Sequence, residues 1–280
     1  MLEWWYRLVD LLPFQWTGHL FMKNALLAVI LVTPLFGILG TMVVSNRMAF
    51  FSDSLGHGAF TGIALGAVLG GIKPVWAATI FSILFALTIT LIKNKSKAST
   101  DTVIGVFSSS AVALGLVIMS YGGSFNKFST YLIGDLLSIT PAEIILLFCV
   151  FIAVIVLWFL IFNKILMVSI NQSLAASRGI NTLFSEILFT VAIAVVVTIT
   201  IQWVGLLIIN SLLVLPAAAA RNVASNVRQY HFLSVAAAFV SGIAGLILSY
   251  YFNTASGATI VLVSAILFFS TFAARRYFQG

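Results

Sequence analysis

Residues 144–162 read IILLFCVFIAVIVLWFLIF, nineteen consecutive positions without a charge, a proline or a glycine. As an α-helix this run spans the hydrocarbon core of a bilayer, about 30 Å thick. It is apolar on every face, as is the stretch from Ala25 to Leu39. A transmembrane barrel strand would alternate apolar and polar positions over about ten residues, so the barrel is excluded. Lipid offers no partner to backbone N–H and C=O groups, and runs of this kind satisfy them internally by becoming helices.

The rest of the chain repeats the pattern. Of 280 residues 61% are hydrophobic and 8% charged, with a mean hydropathy of +1.15, against about 25% charged residues in a soluble domain. The fold class expected is all-α, a polytopic transmembrane bundle of eight to nine spans. Nine are placed near 20–44, 52–71, 74–92, 102–121, 141–163, 185–201, 203–220, 232–251 and 256–273. The breaks between them are polar or rich in Gly and Pro: Lys73-Pro74, Lys93 to Ser99, Gly122-Gly123, Thr140-Pro141, Asn163 to Ser185 and Asn253 to Gly257.

Residues 20–280 form one membrane domain in this reading. Residues 1–19 form an interfacial segment, in which Trp4, Trp5, Tyr6 and Trp16 sit among lipid headgroups. Glu3, Arg7 and Asp10 interrupt any early apolar core, so the segment is not a signal peptide.

The net charge of +7 comes from 14 basic residues scattered between apolar runs. With no concentrated basic stripe, nucleic acid is not the expected partner; membrane lipid is. With alternate connections on opposite sides, Arg47, Lys93, Lys95, Lys97, Lys164, Arg178, Arg221, Arg228, Arg275 and Arg276 share one side, and Arg7, Lys23, Lys73 and Lys127 the other. Positive charge collects in the cytoplasm, which puts the N-terminus outside and the C-terminus inside. The single cysteine, Cys149, permits neither an internal disulfide nor a cysteine-based metal cage.

Ionisable groups inside a membrane are costly and mark function by default. Asp53 and His57 alone open a span together, in Phe51-Ser52-Asp53-Ser54-Leu55-Gly56-His57-Gly58. Four residues apart, they share a helical face, where carboxylate and imidazole can reach one borderline-to-hard cation such as Zn²⁺ or Mn²⁺. Two other readings of the same residues stand beside this one: Asp53 caps the helix, or the two side chains bond each other. Gly58, Gly62, Gly66 and Gly70 form a ridge against which another helix can pack, and the line Asp53, His57, Thr61 runs beside it toward a pathway.

A second polar interruption, Asn210-Ser211 in the span that holds Pro216, either lines that pathway or bonds between helices. The connection from Lys164 to Glu186 reads as a short helix near 169–180 that ends at Gly179; its Ser173, Ala175, Ala176, Arg178 and Gly179 suit docking to a protein, the other reading being an ordinary surface connector. No phosphate-loop motif G-x-x-x-x-G-K-[ST] occurs, so an ATP-driven process would need a second polypeptide.

These residues resemble the permease subunits of bacterial zinc and manganese ABC importers. The resemblance is carried by Arg47-Met48 with Phe51 to His57, by Asp101-Thr102-Val103-Ile104-Gly105-Val106, and by Tyr131-Leu132-Ile133-Gly134-Asp135-Leu136-Leu137-Ser138-Ile139. Gly205 with Asn210 to Ala218, and Ser256-Gly257-Ala258-Thr259, complete it. It implies a homodimer of permeases in the bacterial cytoplasmic membrane, cytoplasmic ATPase subunits, and an extracellular or periplasmic metal-binding protein that delivers the ion. It implies that Asp53 and His57 bind a transported Zn²⁺ or Mn²⁺, with no permanently bound cofactor, and that residues 169–180 are the ATPase-coupling helix. The form Gly134-Asp135-Leu136-Leu137 resembles the zinc permeases more than the manganese ones, while Gly56 and Gly58 replace the commoner Ser or Ala beside His57. The chain is expected to transport rather than to catalyse. The alternatives are a permease for iron or a metal chelate, and a stand-alone secondary metal transporter, which would often show an inverted repeat.

Overall fold

The computed structural model describes residues 2–69, 73–122 and 134–278. Gly70 of the glycine ridge, the break at Gly123, Lys127, and Tyr131, Leu132 and Ile133 of the third resemblance block lie outside them. Among the described residues there are eleven α-helices and no strand. In chain order they are α1 (Glu3–Asp10), α2 (Leu20–Ser45), α3 (Ala49–Leu69), α4 (Pro74–Lys95), α5 (Thr100–Gly122), α6 (Pro141–Ile170), α7 (Gln172–Ser177), α8 (Thr182–Val204), α9 (Leu206–Val223), α10 (Val227–Phe252) and α11 (Ser256–Phe278).

Seven of these, α2, α4, α5, α6, α8, α10 and α11, are long and apolar enough to cross a membrane. The sequence expectation was nine. The two helices outside this set are α3, whose hydropathy is lowered by Ser52, Asp53, Ser54 and His57, and α9, 18 residues long, which carries Asn210, Ser211, Arg221 and Asn222 among its apolar positions. Helix α6 runs to Ile170, past the expected end at 163, because Ile165 to Ile170 continue the apolar pattern beyond Asn163 and Lys164.

The chain divides into two compact units. One comprises residues 42–133 and 153–210, and its centre is α3, packed against α4, α5 and α8. The glycine ridge meets α4. A methyl group on Gly62 would stand 2.7 Å from the Cα of Ala78, and one on Gly66 would stand 2.5 Å from the Cβ of Ala77. In lipid, where apolar side chains gain nothing by leaving their solvent, such backbone approach is what joins helices. Helix α5 is fixed to α3 by the Thr61 hydroxyl, which donates to the carbonyl of Ala111 at 2.6 Å. Helix α8 is fixed to α4 by Thr90, whose hydroxyl donates to that of Thr190 at 3.1 Å.

The other unit comprises residues 1–41, 134–152 and 211–280. Here the Ser234 hydroxyl of α10 donates to the carbonyl of Gly37 on α2 at 2.7 Å, and a side chain on Gly40 would collide with the Leu213 carbonyl of α9. Helix α10 also packs on α11, with Gly245 lying against the backbone of Ile260. Helix α6 begins with a capping box: Thr140 N donates to Glu143 Oε2, and Glu143 N returns a bond to Thr140 Oγ1. The N-terminal segment is tied to α2, since Trp5 Nε1 donates to the carbonyl of Lys23, Tyr6 donates to Asn24 Oδ1, and Lys23 pairs with Asp10. Of the four aromatic residues expected among headgroups, Trp4 is well exposed and Trp16 is buried in the protein.

Candidate functional site

The turn from α2 to α3 is tight. Met48 N donates back to the carbonyl of Val43, and Arg47 takes up a left-handed conformation with φ of 55°. Helix α3 therefore starts at Ala49, three residues before the expected boundary, and Asp53 lies in its second turn. That position excludes the capping role left open by the sequence: an N-cap carboxylate stands outside the first turn.

From Phe51 to Gly66 nearly every position of α3 is buried; Asp53, His57 and Leu65 alone keep partial access. The helix is thus closed on three sides by α4, α5 and α8 and open along one line, and the acid and the imidazole stand on that line. Asp53 Oδ2 and His57 Nε2 are 3.5 Å apart, with side chains 38% and 26% exposed. A charge-assisted hydrogen bond would be about 2.7–2.9 Å long. Two donors bound at about 2.1 Å to one tetrahedral zinc ion would stand about 3.4 Å from each other. The gap admits one ion shared by the two donors as well as an ion pair between them. Among the described residues no group of three or more His, Cys, Asp or Glu is placed to hold a metal ion.

Asn210 reaches the first turn of α3. Its Oδ1 accepts a 2.6 Å hydrogen bond from the hydroxyl of Ser52, the residue that precedes Asp53. Ser52 also donates to the carbonyl of Ala49 and is almost fully buried. Thr61 is different: its hydroxyl is committed to Ala111 and to the His57 carbonyl, and its side chain is fully buried. Ser211, the neighbour of Asn210 on α9, falls in the other unit.

Helix α7 is built with caps at both ends. Asn171 Oδ1 accepts from Leu174 N at 3.0 Å. At the other end Gly179 N donates to the carbonyl of Ala176 and Ile180 N to that of Ala175, the paired bonds of a Schellman turn, with Gly179 at φ of 77°. Ser173, Ala176, Arg178 and Gly179 are exposed, whereas Ala175 is fully buried and anchors the helix.

Two polar groups were missed in the sequence. Ser52 gave no signal apart from its place beside Asp53. Glu186, which the sequence places at the start of a span, lies inside α8 and pairs with Lys93 at the end of α4. An acid in the first turns of one span and a base in the last turn of another were the available clue.

The model of the ABC 3 transport family matches residues 18–275. The high-affinity zinc uptake system membrane protein ZnuB of Buchnera aphidicola is 34% identical over 246 residues, covering 86% of this chain and 93% of that protein. The manganese transport system membrane protein MntC of Listeria monocytogenes is 30% identical over 252 residues, 90% of each chain. The solved structure described as PsaBC from Streptococcus pneumoniae in complex with Fab superposes with a TM-score of 0.79 at 29% identity, covering 97% of this chain and 95% of that one. A match over nearly the whole length of an all-helical chain leaves one assignment: the chain belongs to the ABC 3 transport family.

Proposed function

We propose that this chain is the membrane-spanning permease of an ATP-driven importer of divalent transition-metal ions, with zinc favoured over manganese. The observation that carries the reading is the Asp53–His57 pair, 3.5 Å apart on the open line of an otherwise buried helix. The relatives named for zinc uptake and manganese transport point to the same class of cargo. A mixed oxygen and nitrogen donor set accepts either ion, and the resemblance of the Gly134 to Leu137 block tilts the choice to zinc.

In this reading α3 and α9 cross the membrane beside the seven apolar helices, which gives nine spans and a cytoplasmic C-terminus. Residues 1–19 lie at the membrane interface. The chain acts as a homodimer, so that two Asp53 and two His57 side chains complete one transient site. Asn210 and Ser211 border the pathway, and Thr61 holds α3 to α5 behind it. A metal-binding protein delivers the ion from outside. The exposed residues of α7 and of the turn that ends it, Ser173, Ala176, Arg178 and Gly179, meet a separate ATPase subunit, Ala175 fixing the helix behind them. The permease itself hydrolyses nothing; alternating access moves the ion.

The test is ATP-dependent uptake of Zn²⁺, Mn²⁺ and Fe²⁺ into proteoliposomes that hold the permease, its ATPase and its metal-binding protein. Zinc uptake that disappears in folded D53N and H57A variants is the expected result. Full uptake in both variants overturns the site, and uptake without ATP overturns the importer class.

A further inference from the structure

A cavity of about 280 Å³ lies where α7 begins, bordered by Asn46 after α2, Lys93 and Asn94 at the end of α4, Thr100 at the start of α5, Gln172 of α7 and Glu186 of α8. Within it Lys93 Nζ pairs with Glu186 Oε1, while Asn94 Nδ2 donates to Glu186 Oε2 and to the Thr90 carbonyl, each at 2.9 Å. Both oxygens of an acid that is 10% exposed are therefore occupied. One turn earlier in α4, Thr90 bonds Thr190. Helices α4 and α8 are thus joined by two polar layers.

Replacing a shielded ion pair with apolar groups of similar shape often costs no stability, so strength alone does not account for this arrangement. What a clasp adds is register. Two apolar helices can slide past each other at little cost, but an acid held by a lysine and an asparagine tolerates a single offset. The helix held in this way bears on the candidate metal site, because α4 carries Ala77, Ala78 and Phe85 against Gly66, Gly62 and Gly58 of α3. Backbone packed that closely transmits displacement instead of absorbing it. At the other end, α8 follows α7 after the Gly179 turn, and its first residues are capped by Asn181.

We propose that Glu186, with Lys93 and Asn94, is a positioning residue that locks α4 to α8, so that displacement of α7 reaches Asp53 and His57 through α4 instead of being lost as sliding between helices. The inference rests on the reading of the chain as an ATP-driven permease.

The measurement is the number of Zn²⁺ or Mn²⁺ ions moved per ATP hydrolysed by the reconstituted complex. In E186Q and in K93M this ratio falls about tenfold, the ordinary size of a coupling effect, while ATP hydrolysis in the absence of the ion is unchanged. The swapped pair K93E/E186K recovers most of the ratio. A role in stability alone would lower the amount of folded complex and leave the ratio of surviving molecules intact. Where E186Q does not fold, Asn94→Leu takes its place: it keeps the ion pair, removes one bond to Glu186 and lowers the ratio in the same direction. A wild-type ratio in E186Q, or in N94L where it stands in, overturns the proposal. A wild-type complex that moves no ion at all overturns the permease reading instead.

Discussion

The Ser52 hydroxyl reaches across 158 residues of sequence to donate a hydrogen bond to Oδ1 of Asn210, at 2.6 Å. That bond ties the first turn of α3 to the first turns of α9, one residue before Asp53. Asn210→Ala leaves Ser52 its second acceptor, the Ala49 carbonyl, so the loss in stability is small, about 0.6–1.7 kcal/mol for a polar contact between membrane helices. Its effect on the ion is larger than its effect on the fold. Uptake assays are expected to give a raised KM for Zn²⁺ with melting temperature nearly unchanged; equal KM values in wild type and N210A would show that the bond only holds helices together.

Gly62 and Gly105 make opposite predictions for the same substitution. A methyl group at Gly62 meets the Cα of Ala78 at 2.7 Å and the carbonyl of Ala77 at 3.0 Å, backbone atoms that cannot turn aside. At Gly105 nothing lies within 4 Å. Gly62→Ala therefore forces α3 away from α4 and destabilises by about 1–3 kcal/mol, whereas Gly105→Ala stabilises α5 by up to about 1 kcal/mol through helix propensity. Thermal unfolding in detergent, followed by light scattering or fluorescence, distinguishes the two directly.

At Gly179 the constraint is conformational. Its φ of 77° is open to glycine and poorly tolerated by most side chains, although space around it is free. Gly179→Val is expected to cost about 1–2 kcal/mol locally and to unwind the end of α7, whereas Gly179→Asn is tolerated. Affinity for the ATPase subunit, measured by pull-down or interferometry, should fall with valine and hold with asparagine. Equal binding by both variants would place the ATPase contact elsewhere.

The helices were legible because an apolar run of sufficient length has one outcome in lipid; 144–162 is the plainest case. Their ends were less so. Asn163 and Lys164 read as a break, yet a lysine can extend its charge to the headgroups while its backbone stays helical, and α6 continues to Ile170. The spacing of Asp53 and His57 announced the candidate site, because four residues on a helix always fall on one face. Whether that face is open is a tertiary property: it depends on α4, α5 and α8 covering the other sides, and on Thr61, on the same nominal line, being drawn into the α5 contact. The Ser52–Asn210 and Lys93–Glu186 contacts join residues about 90 to 160 positions apart, and no local pattern encodes them.

The donor chemistry of Asp53 and His57 gives a prediction about selectivity that leaves the fold nearly untouched. Manganese prefers carboxylate oxygen, and imidazole suits zinc. Asp53→His would put two imidazoles on one face of α3 at the same spacing of four, on a line that is already partly open and so has room for the larger ring. Zinc keeps two good ligands; manganese loses its harder donor. Uptake of Mn²⁺ is therefore expected to fall much further than uptake of Zn²⁺, raising the zinc-to-manganese ratio by about tenfold, a difference of 1.4 kcal/mol in binding. The comparison uses one preparation and two ions, so a loss of folded protein cancels from the ratio. An unchanged ratio, with both ions still transported, would mean that neither ion rests its weight on residue 53.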